Sequence, residues 1–296
     1  MILVITGPTG VGKTKLSIEL AKKYDAIIVN ADSMQVYKEL NIGTAKVTEE
    51  EKENIPHLLF DIKNPDEMYT VYDYQKDLRK VLNDYKDKNI IIVGGTGLYI
   101  KAGLYNYEFQ EEDNHNSYDD LTNEELFCKV KEKYPEINVH VNNRKRLVSA
   151  LNKDGVSTNG NDLLYDAIFI GLTTDRKTLY ERINKRVDIM FEDGLIEEVK
   201  ALYDKHINSK AINTGIGYKE LYDYFNGKIS LDEAKELIKK RSRHYAKRQY
   251  TWFNNQMDIN WFNVNFDNFN ETINEVVDFI NHYTLHKSWL NSRLFL

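Results

Sequence analysis

Cysteine is almost missing from the chain: one residue, Cys128, in 296. A single thiol excludes an internal disulfide and any zinc site built from several cysteines. Cys128 itself is expected to be a small, partly buried side chain. Long apolar runs are also missing, and none approaches the roughly 18 residues that cross a bilayer. The start, MILVITGPTG, has no basic segment ahead of its apolar stretch, so it reads as a buried first strand and not as a signal peptide. These absences point to a cytoplasmic protein without a membrane partner. No internal repeat is found. Two GTPase signatures, D-x-x-G and N-K-x-D, are lacking. The apolar run at residues 89–93 ends in Gly94-Gly95 where a Walker B strand would end in Asp. A regulatory GTPase is disfavoured on these grounds. A small-molecule kinase stays open, with Asp32 as its alternative carboxylate.

Positive charge is in deficit overall, with 40 Lys and Arg against 46 Asp and Glu, a formal net charge of −6. Taken alone, that argues mildly against a nucleic-acid partner. The distribution argues the other way. Seven Lys or Arg and a single acid, Glu236, lie between Lys235 and Arg248, while acids gather at residues 48–53 and 111–120. A local basic stripe on an acidic protein is compatible with specific nucleic-acid binding.

Apolar runs at residues 2–5, 26–29, 89–93 and 167–172 each end in a glycine or polar loop. Helical spacing follows from Lys13 and again over 71–85. Strands and helices alternating in this way predict an α/β fold with a parallel sheet flanked by helices. Ligands of such sheets bind beyond the carboxyl ends of the strands. The first Gly-rich loop, Asp32 and residues 94–96 should therefore converge on one crevice. Residues 110–164 break the pattern: an acidic, Asn-rich stretch, helical segments near 122–133 and 144–152, then a loop at 155–162. They read as a small helical insertion, or lid, between two parts of the core, 1–109 and 165–262. From residue 176 the chain is mostly helical. Residues 263–296 are Asn- and aromatic-rich, carry no motif and form a C-terminal tail of unknown role.

The string Gly7-Pro8-Thr9-Gly10-Val11-Gly12-Lys13-Thr14 matches G-x-x-x-x-G-K-[ST] between a strand and a helix. Its glycines let backbone N–H groups turn inward, the helix N-terminus adds positive potential, Lys13 adds a full charge, and Thr14 can ligate Mg²⁺. The motif specifies a di- or triphosphate, as in ATP-binding proteins, without specifying what the phosphates carry. Asp32, in Asp32-Ser33-Met34-Gln35, suits metal coordination or a general base, and equally a turn. Thr96, in the Gly94–Tyr99 loop, offers a hydroxyl to the crevice or belongs to a tight turn. Arg182 and Arg186, four apart, share a helix face that is either solvated or aimed at pyrophosphate. The run from Arg241 to Phe253 interleaves basic and aromatic side chains, as a surface for phosphates and unpaired bases would, or as a helix packing through its aromatics would.

Taken in order, GPTGVGKT, DSMQVY with IGTAK, IPHLLFD, VYDYQ, VGGTGLYIKA, RINKRVDIMFEDGLIEEV, TGIGYKEL and AKRQYTWF resemble the bacterial tRNA dimethylallyltransferases (tRNA isopentenyltransferases) over residues 1–262. The resemblance implies a P-loop fold with a small helical insertion. It implies an enzyme, with Mg²⁺, that moves a dimethylallyl group from dimethylallyl diphosphate to N6 of the adenosine just 3′ of the anticodon of tRNA. By position, residues 7–14 would bind the diphosphate together with Arg182 and Arg186. Asp32 would be the general base. Asp32, Ser33, Met34, Gln35 and Thr96 would contact the flipped adenosine. Lys145 and Arg146 in the insertion, with Arg243, Lys247, Arg248 and Gln249, would touch the tRNA. A monomer is expected. The sequence departs from the family at Gly10-Val11, usually Ala-Ser, and at Asn142-Asn143 and Ser149 in the insertion. The eukaryotic zinc finger is absent. Rival readings are prenyl transfer to a free adenine nucleotide, a P-loop kinase, and a non-catalytic RNA-binding protein.

Overall fold

The structure, a computed structural model, describes residues 1–109, 116–152 and 160–293, with side chains up to residue 286. Part of the acidic stretch at 111–120 and most of the loop at 155–162 lie outside the described residues. The described chain falls into two compact units: Met1–Gly103 with Tyr165–Leu296, and Leu104–Leu164.

The larger unit is built on β1 (Ile2–Thr6), β2 (Ala26–Asn30), β3 (His57–Leu58), β4 (Asn89–Val93), β5 (Ala167–Thr173) and β6 (Asn260–Asn263). All pairings are parallel, in the order β3-β2-β4-β1-β5-β6. The expected parallel α/β sheet is borne out. β1 sits between β4 and β5, and its buried run Leu3, Val4, Ile5 shows why the strand is apolar on both faces. Around the sheet lie α1 (Lys13–Tyr24), α2 (Val71–Asp84) and α3 (Gly97–Leu104). The insertion supplies α4 (Asn123–Lys133) and α5 (Arg144–Asn152). After β5 come α6 (Arg176–Glu192), α7 (Leu195–Asp204), α8 (Lys210–Thr214), α9 (Tyr218–Phe225), α10 (Leu231–Gln256) and, following β6, α11 (Phe269–Arg293). Among the described residues no helix is long and apolar enough to cross a membrane.

One expectation from the sequence needs correction. Cys128 is exposed. On α4 the stripe that turns inward is Leu126 and Val130, which close on Leu147 of α5 in a small core of their own, and position 128 falls on the opposite face. The segment from 263 onward packs on the core of the sheet. Val264 donates its N–H to the Thr173 carbonyl at 2.8 Å, and Val264, Phe269, Val276, Val277 and Ile280 belong to the core cluster of the sheet.

One carboxylate organises the loop after β2. Glu198 on α7 accepts the N–H groups of Asn41, Ile42 and Gly43 at 3.0, 2.7 and 3.1 Å, and the Tyr218 hydroxyl at 2.7 Å. Four donors on one carboxylate anchor the IGTAK segment to α7 and α9. Charge-assisted bonds are about twice as strong as neutral ones. Glu198→Ala is expected to cost about 2–4 kcal/mol of stability, because three amides and a buried phenol lose their acceptor. Urea unfolding is the measurement, and a loss within error of zero would show that the loop finds other partners.

Candidate active site

β1 ends at Thr6, and the chain must turn into α1 within six residues. Gly7 does so at φ +131°, where a Cβ would lie 2.4 Å from the Leu172 carbonyl oxygen. Only glycine allows the loop to pass that close to β5. Pro8 and Val11 point into the protein, so these two positions serve through their backbone. Lys13 folds over the loop, its Nζ donating to the Gly7 and Pro8 carbonyls at 3.0 and 2.9 Å. Burial pulls its ammonium down to about 8, with Asp32 opposing that shift and Arg186 adding to it.

The two arginines of α6 both reach this loop. Arg186 donates to the Thr9 hydroxyl at 2.5 Å, and Arg182 donates through Nε to the Gly10 carbonyl at 3.2 Å. Partial desolvation lowers the pKa of the exposed Arg182 guanidinium, and deeper burial lowers that of Arg186, where the Asp32 carboxylate acts in the other direction.

Asp32 follows β2 and is held by its neighbours. Its N–H donates to Asn30 Oδ1 at 2.8 Å, and its Oδ1 accepts the Met34 N–H at 2.9 Å. The Asx turn that spacing allowed is therefore present, and it leaves the second carboxylate oxygen for other chemistry. Gln35 donates to the Thr44 and Ala45 carbonyls at 3.0 and 3.2 Å. Thr96 accepts the Ser33 N–H at 3.0 Å, so its hydroxyl fastens the β4 loop to the loop after β2.

Two cavities meet here. One, of about 490 Å³, is lined by Gly10, Gly12, Lys13, Thr14, Gln35 and Arg182. The other, of about 240 Å³, has walls of Ile183, Val187, Met190, Ile216 and Ile238, and includes Ser33 and Met34. Thr9, Asp32, Thr44 and Arg186 line both. Thr96 lines neither and acts through Ser33.

α10 passes behind this junction. Gln249 is buried, accepts the Thr9 N–H at 2.9 Å and donates to the Gly95 carbonyl at 3.0 Å. Its amide is thus committed to tying the P-loop to the β4 loop, and it is not displayed to a partner. Arg243 is half-buried and donates to Asn184 of α6 at 2.5 Å. Lys247 and Arg248 are exposed and line an outer groove with His244, Thr251 and Trp252. Arg248 also lines the smaller cavity, so it stands where groove and cavity adjoin. The basic stripe is less free than its sequence suggests. Lys235 and Lys239 pair with Asp188 of α6 at 2.8 and 2.9 Å, and Arg241 pairs with the buried Glu220 of α9.

A family model described as IPP transferase matches residues 35–256. The chain belongs to the IPP transferase family. It is 45% identical over 284 residues to a tRNA dimethylallyltransferase of Bacillus anthracis, covering 89% of this chain and 90% of that one. Among solved structures it resembles a tRNA isopentenylpyrophosphate transferase of Bacillus halodurans, with TM-score 0.78 and 38% identity, over 98% of this chain and 99% of that one. A eukaryotic dimethylallyltransferase, described as acting on tRNA, is 28% identical with TM-score 0.75, over 88% and 73% of the two chains.

In this transferase, some residues at the junction carry no signal that sequence reading used. Tyr245 lines the smaller cavity, and its phenol is pushed up by burial and by the Asp32 carboxylate. In the sequence it looks like one more packing aromatic. Ile183, Val187 and Met190 recur at helical spacing, which marks an inward face but not a cavity wall. Lys145 and Arg146 are exposed on α5, within the smaller unit.

Proposed function

We propose that this IPP transferase moves a dimethylallyl group from dimethylallyl diphosphate to N6 of the adenosine at position 37 of tRNA, just 3′ of the anticodon. Diphosphate is released and N6-isopentenyladenosine remains. The observation that carries the reading is the pair of cavities sharing Thr9, Asp32 and Arg186. A polar cavity on the P-loop suits the diphosphate, and a partly apolar one opening beside Arg248 suits the prenyl chain and an extruded base. The reacting centre then falls at Asp32.

In the reaction the allylic C–O bond breaks and an N6–C bond forms. Negative charge gathers on the departing diphosphate, where backbone N–H groups, Lys13, Arg182 and Arg186 already converge. The N6 proton passes to the Asp32 carboxylate, whose orientation the Met34 N–H holds. The cost of extruding an unpaired loop base is modest, a few kcal/mol or less.

The residues suit a magnesium ion. Thr14 is exposed and lines the cavity that Asp32 also lines. Mg²⁺ commonly takes only one or two protein oxygens and fills its shell with phosphate and water. Among the described residues no group of three His, Cys, Asp or Glu side chains could hold a metal by itself. When bound, the ion would neutralise charge on the diphosphate. We place the reaction in the cytoplasm and on a monomer.

Incubation with tRNA and labelled dimethylallyl diphosphate, followed by nucleoside analysis, is the direct test. Label in N6-isopentenyladenosine is expected. Transfer of γ-phosphate from ATP to any product would favour the kinase reading. The acceptor is tested separately at α10. Lys247→Ala with Arg248→Ala is expected to raise KM for tRNA and to flatten the slope of log K against log salt by roughly 0.7–0.9 for each lost phosphate contact. Parallel salt lines for variant and wild type would make a free nucleotide the better acceptor.

A further inference from the structure

The turn between β6 and α11 sets one aromatic ring against the P-loop and another under an arginine of α6. Asn265 builds that turn: its Oδ1 accepts the N–H groups of Asp267 and Asn268 at 3.1 and 3.0 Å, and its own N–H donates to the buried Thr272 hydroxyl at 2.9 Å. Phe269 closes against Gly12, where a Cβ would come within 2.8 Å of the ring. Gly12 takes φ +103°, so both backbone and ring require glycine there. Phe266 lies under Arg182, with the guanidinium carbon 3.8 Å from the ring centroid. The same guanidinium donates to the Gly10 carbonyl.

Stacking uses one face of the guanidinium and leaves its N–H edge for oxygens. An exposed arginine would otherwise sample many rotamers, and ordering it on binding weakens affinity. A ring beneath it fixes the plane before the ligand arrives.

We propose that Phe266 is a positioning residue for the diphosphate: it holds Arg182 in the plane from which its edge reaches the P-loop and the leaving group. The inference rests on the reading that the P-loop and Arg182 bind diphosphate. A cation–π restraint of this kind corresponds to about 2- to 30-fold in affinity.

The test uses the full chain, inorganic diphosphate as probe, and KM for each substrate. Phe266→Leu, which keeps bulk without a π face, is expected to weaken diphosphate and to raise KM for dimethylallyl diphosphate by about 3- to 10-fold, within that cation–π range. KM for tRNA should be unaltered. Phe266→Tyr should restore binding. In an Arg182→Ala background, Phe266→Leu should have no further effect. Wild-type binding by Phe266→Leu, failure of Phe266→Tyr to rescue, or additive losses in the Arg182→Ala background would each overturn the proposal. Lys13→Ala in the same titration separates the two readings. If it abolishes diphosphate binding while Phe266→Leu does not weaken it, only the role of Phe266 falls. If Lys13→Ala binds diphosphate normally, the P-loop reading falls, and this proposal with it.

Discussion

Asp32→Asn is expected to slow the chemical step by about 10²- to 10⁴-fold, the range for a lost general base. Binding of both substrates should stay close to wild type. The structure makes Asn the sharper substitution than Ala. Asp32 Oδ1 accepts the Met34 N–H in an Asx turn, and an asparagine carbonyl can keep that bond. Ala would lose the turn and the base together. Single-turnover rates at saturating tRNA and dimethylallyl diphosphate report the step itself. A loss below about fivefold would remove Asp32 from proton abstraction and leave it as a turn residue, since base catalysis contributes far more than that.

Lys13→Ala should weaken dimethylallyl diphosphate by at least about 30-fold, because truncating one partner of a desolvated charge pair costs several kcal/mol. Affinity for tRNA should change much less. A pH effect accompanies it. In the free protein burial holds the Lys13 ammonium down near 8. A bound diphosphate favours the protonated form and so raises that pKa. Binding is therefore strongest below about 8 and weakens as pH rises through it. The fall is at most tenfold per pH unit for a single linked proton. Titrations from pH 6.5 to about 9.5 would show the decline, and Lys13→Arg, which stays charged throughout, should bind without this pH dependence. A flat profile for wild type would mean that Lys13 keeps its proton in the free protein. Folding carries the opposite sign. Between about 8 and the ordinary lysine range the unfolded chain holds more protons at this residue, so the Lys13 penalty to stability eases as pH rises.

Much of the site was legible because its parts are local. An apolar run, a Gly-rich turn and a helical face follow one another between Ile2 and Tyr24, so β1, the P-loop and α1 follow from spacing and turn chemistry. The four longer buried strands were readable for the same reason. β3 and β6 were not. β3 is two residues long, and β6, Asn-Trp-Phe-Asn, is a half-exposed edge strand whose pairing with β5 depends on a partner some ninety positions away. Arg182 and Arg186 could be placed on one helix face. That this face turns to the P-loop, and not to solvent, depends on how α6 packs.

Residues with long-range partners show the limit most clearly. Gln249 sits among basic and aromatic side chains that suggest a nucleic-acid surface. Its partners, Thr9 and Gly95, lie 240 and 154 residues away in sequence, and they bury it. Lys235 and Arg241 find their carboxylates on α6 and α9, and Lys239 adds Asp188 of α6 to Glu236 of its own helix. Residues 263–293 carry no motif, yet they pack on the core of the sheet, set Phe269 against Gly12 of the phosphate loop and place Phe266 under Arg182.

The sequence by itself therefore determined the strand-and-helix order, the phosphate-binding loop and the family, since each rests on short-range periodicity or on residues in a fixed order. Tertiary structure alone decided which charges are neutralised, which polar side chains are struts, and where the two cavities share Asp32. Burial and ion pairing depend on which surfaces meet, and residues far apart in the chain meet only when the sheet and its helices close around them.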